Sequence, residues 1–411
     1  MPSPATPRAT TTAAAPTATP GVAAAAPRPS GRRSTLFLLL IAVCTAVTAA
    51  NIYLAAPLLP LIARDNGTTA SAVAWIASVA QLGYAVGLLF FAPLGDTANR
   101  RRLVGGLTVV TTVALVAAAV APGTGALAVA VFVAAAATVI PQLLVPLVAQ
   151  RAPAERRARH VAAVIAGLFT GIVAARVVGG LAGQAFGWRW VFAGSAVLTL
   201  ALGLATAVVL PSEHRPRTGS LLSGIAALPG LMRRSPDLWR ACLRQAGMFG
   251  AWSALWTSLA LLLTGPAYGL STATAGLFGL FGLASSAVAP LAGGLVDRFG
   301  AQKVVRSAYL LAAVSVPLFW LGGHMMAALW VAALAIHAAL VASHVANQTL
   351  ALTTTSTPAA ANTAYVVSGF AGGALASLLA GPAFGHFGWG GVCAVAGAWL
   401  VIGWGATAVR R

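Results

Sequence analysis

Residues 34–409 are a succession of long apolar runs divided by short polar breaks, and the length of the runs decides what they form. A hydrocarbon layer about 30 Å thick is crossed by roughly 20 apolar residues in a helix. Runs of about that length or more occur at 34–62, 71–94, 103–121, 125–149, 160–183 and 189–210, and again at 241–265, 270–296, 304–322, 326–350, 359–384 and 388–409. They do not alternate as the strands of a membrane barrel would. Lipid offers the backbone no hydrogen-bond partners, so each run is predicted to be a spanning helix. The expectation is an all-α membrane protein of twelve transmembrane helices.

The polar breaks contain a repeat. PLGDTANRRRLV, from Pro93 to Val104, is echoed by GLVDRFGAQKVV, from Gly294 to Val305, and the aspartates Asp96 and Asp297 lie 201 positions apart in 411. LAGQAFGW, starting at Leu181, is echoed at nearly the same offset by LAGPAFGHFGW, starting at Leu379. Two echoes at one spacing predict two equivalent six-helix halves, here 34–210 and 241–411. Residues 1–33, rich in Ala, Pro and Thr, read as a disordered tail, and 211–240 as a linker. Leu221, Leu222, Ile225, Leu228 and Leu231 recur near helical spacing, so part of the linker is expected to lie along a surface. The first run continues past the small residues near Ala49 to Ile62, which predicts an uncleaved span and not a signal peptide.

Charge changes this picture by fixing an orientation. Charged residues are only 8% of the chain, yet the formal net charge is +19. Of the 25 Lys and Arg, 22 fall in the two termini, the linker or the breaks after spans 2, 4 and 8, or within four residues of them. Such bias places both termini in the cytoplasm of a cell (plasma) membrane protein, in a bacterium the inner membrane. The basic residues form no groove with interleaved aromatics, so nucleic acid is not an expected partner. Cys44, Cys242 and Cys393 are scattered and read as small packing residues. Trp188, Trp190 and Trp389, at span ends, read as interfacial anchors.

The Asp-plus-basic break, present twice in a twelve-span chain with a central linker, resembles motif A of the major facilitator superfamily. NIYLAAPLLPLIA in span 1, QLGYAVGLLFFAPLGD in span 2 and GIVAARVVGG in span 5 resemble its bacterial drug:proton antiporter branch, with relatives that export sugars and nucleosides. In the first motif copy Ala92, Thr97 and Asn99 replace the usual Gly, Arg and Gly; the second, with Gly293, Asp297, Arg298, Gly300 and Lys303, is the closer match. In span 5, Ala175 and Arg176 replace a central Gly-Pro. The resemblance implies a secondary carrier exporting a small organic molecule by alternating access, with protons in exchange, and acting as a monomer. Uptake or uncoupled facilitation of a polar solute is the alternative.

Candidate residues follow. Asp96 with Arg100, Arg101 and Arg102, and Asp297 with Arg298 and Gly300, lie at the cytoplasmic edge. An ion pair present in one conformation and absent in the other would gate the carrier; the plainer reading is that these arginines only hold the loops inside. Arg176 is the one charge well inside a predicted span, where an ionisable group costs about 2.5–3.5 kcal/mol on insertion scales. It would contact an anionic or polar substrate, bond helix carbonyls, or snorkel toward Trp188. The resemblance assigns the central cavity to spans 1, 4, 7 and 10, which makes Asn51, Tyr53, Gln142, Trp252, Trp256, His337, His344, Asn347 and Gln348 cavity candidates. All six acidic residues lie at membrane edges or in loops, so a proton relay falls to His337 and His344 or to Asp96. The competing reading has both histidines packed against neighbouring helices. The spans contain no nucleophile constellation, metal-ligand cluster or paired carboxylates, so neither an enzyme nor a cofactor or metal is expected.

Overall fold

The computed structural model describes residues 31–151, 157–210, 221–286, 288–353 and 357–408, and every regular element among them is helical. The tail expected at 1–33 therefore lies almost wholly outside the described residues, as does the first part of the linker.

In the first half, span 1 is α1 (Gly31–Ala50) followed by α2 (Ala55–Asp65), bent by 41°. Span 2 is α3 (Ala70–Val73) and α4 (Trp75–Phe91), and the short α5 (Leu94–Thr97) leads into α6 (Arg100–Ala119), which is span 3. Span 4 is α7 (Thr124–Ala137) and α8 (Ile140–Arg151); spans 5 and 6 are α9 (Arg157–Phe186) and α10 (Trp188–Val209). After the linker helix α11 (Leu221–Arg234), span 7 is α12 (Pro236–Thr264). It starts before the predicted boundary because Ser235 caps it, accepting from the Leu238 amide at 3.4 Å. Span 8 is broken into α13 (Thr272–Leu277), a 3₁₀ turn at Phe278–Leu280, α14 (Phe281–Ser286) and α15 (Val288–Phe299). Spans 9 and 10 are α16 (Ala301–Leu321) and α17 (Met326–Thr353), and α18 (Pro358–Ala408) holds the last two. Its apolar stretch of 48 residues would be about 72 Å long if straight, more than twice a bilayer. The chain reverses at Gly388, where φ is 60° and ψ is −154°, a conformation that favours glycine. With α18 counted as two spans and the pieces from 272 to 299 as one, the described residues form twelve.

The breaks in spans 1 and 4 have one cause and one repair. Pro57 and Pro141 lack the amide that would continue each helix from the turn before. One carbonyl left open where α1 ends joins a polar knot between the two breaks: Thr138 Oγ1 donates to the Thr48 carbonyl at 2.7 Å, Asn51 Nδ2 donates to Thr138 and Thr199 at 3.3 and 3.1 Å, and Ser195 donates to Asn51 Oδ1 at 2.6 Å. All these partners belong to the first half. Asn51, expected to line the cavity, is instead held inside its own half with both ends of its amide bonded.

Close packing within each half rests on glycines spaced a turn apart. A Cβ on Gly83 or Gly87 of α4 would collide with the carbonyls of Phe132 and Ala136 on α7, and one on Gly167 or Gly171 of α9 with those of Ala42 and Ala46 on α1. Without a hydrophobic drive between helices in lipid, such backbone approach is what holds spans together. At the end away from the basic loops, Asp65 pairs with Arg189 and accepts from Trp188 Nε1 at 3.2 Å, fastening α2 to α10. In the second half Trp389 Nε1 donates to the Phe319 carbonyl at 2.5 Å. Of the three expected tryptophan anchors, only Trp190 is exposed; Trp188 and Trp389 are buried and hydrogen-bonded. The linker helix turns Leu228, Leu231 and Met232 onto a cluster of Leu238, Cys242, Ala361 and Tyr365 in the second half.

If the α4–α7 contact is held by backbone approach, Gly87→Val will cost about 1–3 kcal/mol. This will appear as a fall of several degrees in the melting temperature of the purified protein. Gly106→Val, with nothing within 4 Å of its Cβ position, is the control; equal melting of the two would contradict the assignment.

Candidate functional site

Among the described residues the two halves touch along three lines, running from the end opposite the basic loops to about the middle of the bundle, and the linker helix α11 also meets α4. In the first, a Cβ on Gly381 or Gly385 of α18 would lie 2.9 Å from Ala74 Cβ or 3.4 Å from Ser71 Oγ. Deeper on the same line, Gln81 of α4 enters a buried cluster on the other half: Ser253 donates to its Oε1 at 2.8 Å, its Nε2 donates to Ser377 at 3.3 Å, and Ser377 lies 3.0 Å from Ser253 and 3.2 Å from Thr257.

In the second line α9 meets span 8. Gly276, Gly279 and Gly282 recur every third residue, and the 3₁₀ turn between them keeps them on one face. Cβ atoms there would lie 2.5 Å from the Arg176 carbonyl, 2.8 Å from Arg176 Cβ and 3.2 Å from Val173 Cγ2. The broken span is thus a glycine face laid against the helix that carries Arg176.

The third line is aromatic and contains the site. Tyr53 follows the break in span 1, Trp252 and Trp256 lie one turn apart on α12, and Arg176 projects between them. Its guanidinium carbon is 5.3 Å from the Tyr53 ring centre, 5.2 Å from that of Trp252 and 5.1 Å from that of Trp256. The two indoles are parallel to within 9° at 6.1 Å. Trp252 Nε1 donates to His337 Nε2 at 3.2 Å, which leaves the other ring proton on Nδ1, facing the Ala333 carbonyl at 2.8 Å. His337 therefore orients the indole whose face meets the cation. From Trp252 the aromatic contacts continue through Phe249 at 5.2 Å and Phe370 at 4.9 Å to Tyr84 at 4.6 Å. Gln142 donates to the Tyr84 hydroxyl at 3.3 Å.

Magnitudes show what the cage leaves undone. A cation over a ring within about 6 Å gains roughly 0.5–2 kcal/mol, so three rings offset much of the cost of bringing Arg176 out of water. They accept no hydrogen bond in the plane of the guanidinium. Arg176 Nη1 is buried without a partner, and no described carboxylate pairs with the side chain. An unmade bond at a buried charged donor costs more than the about 1–3 kcal/mol of a neutral one.

Five of the sequence candidates, Tyr53, Arg176, Trp252, Trp256 and His337, therefore come together in one cluster, the candidate site. His344 is separate, toward the basic end. The Tyr365 hydroxyl donates to Gln245 at 2.6 Å and lies 3.3 Å from His344 Nδ1, so it can accept there, and no described residue bonds His344 Nε2. Asn347 and Gln348 join helices, donating to the Ala241 carbonyl and to Asn362 at 2.7 and 2.8 Å.

In the first basic loop Arg100 is buried and bonds the Gly95 carbonyl at 2.7 Å and Gln150 at 3.1 Å, while Arg101 and Arg102 are exposed. The side chain of Asp96 lies outside those described. In the second loop Asp297 and Arg298 are exposed, and Asp297 makes no ion pair with a described residue. Gly300 turns that loop at φ 84°; at the matching place Asn99 has φ −66° and caps α6, accepting from the Arg102 amide at 3.2 Å. The departure from the motif is thus an exchange of a glycine turn for a side-chain cap.

Sequence reading missed the Gln81 cluster and Arg244. Arg244 is buried on α12, bonding the Ala406 carbonyl at 2.9 and 3.2 Å and Gln302 of the second loop at 3.3 Å. Ser253 and Thr257, each next to a cage tryptophan and four residues apart, were the available signal.

Removing the amide of Gln81 deletes two bonds between the halves at about 0.6–1 kcal/mol each. Gln81→Ala will raise deuterium uptake at the adjoining parts of α4 and α18 by hydrogen-exchange mass spectrometry. Unchanged uptake would mean the closure rests elsewhere.

The profile of the Major Facilitator Superfamily matches residues 41–377. A probable transporter of Streptomyces coelicolor is 77% identical over 410 residues, spanning 99% of this chain and 95% of that protein. A chloramphenicol resistance protein of Streptomyces lividans is 33% identical over 287 residues, spanning 67% and 70%. The crystal structure of the nucleoside transporter NupG shares the fold with a TM-score of 0.74 at 14% identity, over 91% of this chain and all of that one.

Proposed function

The chain belongs to the Major Facilitator Superfamily and is a membrane transporter, and we propose that it exports a small organic molecule from the cytoplasm in exchange for protons. The observation that carries this reading is the caged, hydrogen-bond-deficient cation at the junction of two halves whose described contacts run from the end opposite the basic loops to the middle of the bundle. A carrier needs a site reached from either face in turn, and a junction that parts and re-forms about that site supplies it. The seam lies opposite the basic loops. With those loops and both termini on the cytoplasmic side by the distribution of charge, the described contacts close the halves toward the outside, the arrangement from which an exporter loads. The resistance relative from Streptomyces lividans supports efflux over uptake. The protein acts as a monomer in this reading, and each half completes the site with its own residues.

Proton exchange needs a group that titrates without dismantling the seam. His337 has both ring nitrogens committed, whereas His344 keeps Nε2 open and is half-buried toward the basic end. We assign the relay to His344 and the gate to Asp96, with Arg100 to Arg102 and Asp297 to Gly300 forming the paired loops. A second reading, uptake or uncoupled facilitation, draws on the position of all six acidic residues at span ends or in loops, away from where a carboxylate proton site would sit.

Everted membrane vesicles with an acidic lumen separate the two. Export by antiport predicts substrate accumulation in the lumen that a protonophore abolishes. Asp96→Asn at matched expression is expected to lower it at least tenfold, and His344→Gln to remove its dependence on the gradient while exchange of substrate for substrate continues. Transport that persists after the gradient collapses favours facilitation, and undiminished transport by Asp96→Asn removes the gate.

A further inference from the structure

We propose that the Arg176 site selects organic anions: a carboxylate head bonded to the guanidinium, joined to a flat apolar body laid against the tryptophans. This deepens the carrier reading by naming the substrate class of the same site.

Beside the guanidinium is a cavity of ≈ 30 Å³ lined by Ala56, Pro57, Arg176, Trp256, Leu259, Ala260 and the glycine face of span 8. That is more than the roughly 10–15 Å³ a single water requires, and small enough that only a head group enters. Every lining side chain but Arg176 is apolar, apart from the indole of Trp256. A neutral polar head would find one kind of side-chain partner here, a cationic donor, and no side-chain acceptor for its own protons. A cationic head would meet Arg176 directly and be repelled. A carboxylate brings only acceptors and offers two oxygens to the planar donor fork of a guanidinium whose Nη1 is enclosed without a partner in this arrangement. The lining comes from span 1 and span 5 of one half and from spans 7 and 8 of the other, so an anion there bridges both halves. Trp256 lines the cavity itself, and from it the indole of Trp252 and the run through Phe249 and Phe370 to Tyr84, buried or half-buried while the seam is closed, form the flat apolar face that the rest of the molecule would meet as the halves part.

The test is binding to the full-length protein in detergent or nanodiscs, read by quenching of tryptophan fluorescence and by thermal shift. The probes are 3-phenylpropionate, its uncharged twin 3-phenylpropionamide, and the cation 3-phenylpropylamine. The carboxylate is expected to bind saturably and at least tenfold more tightly than the amide, with no saturable binding of the amine. Arg176→Lys is expected to keep a weaker preference for the anion and Arg176→Gln to abolish it. Equal binding of carboxylate and amide, tighter binding of the amine, or no binding of the carboxylate would overturn the proposal. Should Arg176→Gln fail to fold, the comparison among the three probes on unmodified protein still decides. No gradient is involved, so failure here leaves the direction and coupling of transport untouched, and failure of gradient-driven export leaves anion selection standing.

Discussion

The seam between the halves is the contact on which the rest of the structure depends, because it must be strong enough to exclude water and weak enough to part. Its chemistry satisfies both. Glycines let the backbones of α9 and span 8 come into contact, excluding solvent with little side-chain interlocking. The hydroxyl and amide groups around Gln81 contribute neutral bonds, which inside membrane proteins average only about 0.6 kcal/mol each. The aromatic line through Trp252 is held by ring contacts worth about 0.5–1.5 kcal/mol apiece. A seam built from terms of this size leaves two arrangements within a few kcal/mol, close enough for a ligand with different affinity for each to move the balance. The strong interactions lie elsewhere: Asp65 with Arg189, Arg100 with Gly95 and Gln150, and Arg244 with Ala406 and Gln302 all act inside one half. Each half is therefore stiff, and the freedom is concentrated between them.

Arg176 is the exception, a full charge on the seam itself. Its rings come from both halves, so separating them removes two of its three aromatic partners. That makes the energy of the seam depend on whether something else satisfies the guanidinium. In an anion-selective carrier this is the link between occupancy and movement: the bound head group replaces contacts that the moving half takes away. The helix breaks serve the same geometry. The proline that interrupts span 1 sets Tyr53 at the bend, and the knot of Asn51, Thr138, Thr199 and Ser195 ties the bend to the rest of its own half.

Much of this was legible in the chain because lipid imposes a simple rule on sequence. Apolar runs of spanning length, the duplicated Asp-plus-basic loop and the one-sided charge required no knowledge of packing, and the twelve-helix fold follows from them. Arg176, Trp252 and Trp256 stood out by the cost or size of their side chains. The breaks did not, since the 3₁₀ turn of span 8 falls at glycines whose contact is with the other half, a partner that the sequence does not name. Asn51 was misplaced because a polar residue in a span has two uses, a cavity or a helix joint, and only the neighbours tell them apart. The Gln81 cluster escaped for the converse reason: its serines and threonine are common in such helices, and their meaning lies in coming together from residues as far apart as 81 and 377.

The most direct measurement of a seam that must open is to close it covalently. Cβ atoms at Ser71 and Gly385 would lie 3.6 Å apart, within the range of a disulfide. Cysteines at both, with Cys44, Cys242 and Cys393 replaced by alanine, are expected to cross-link readily in membranes under mild oxidation. The linked protein should lose substrate counterflow and regain it on reduction. No cross-link, or full counterflow in fully cross-linked protein, would contradict a carrier that works by parting its halves there.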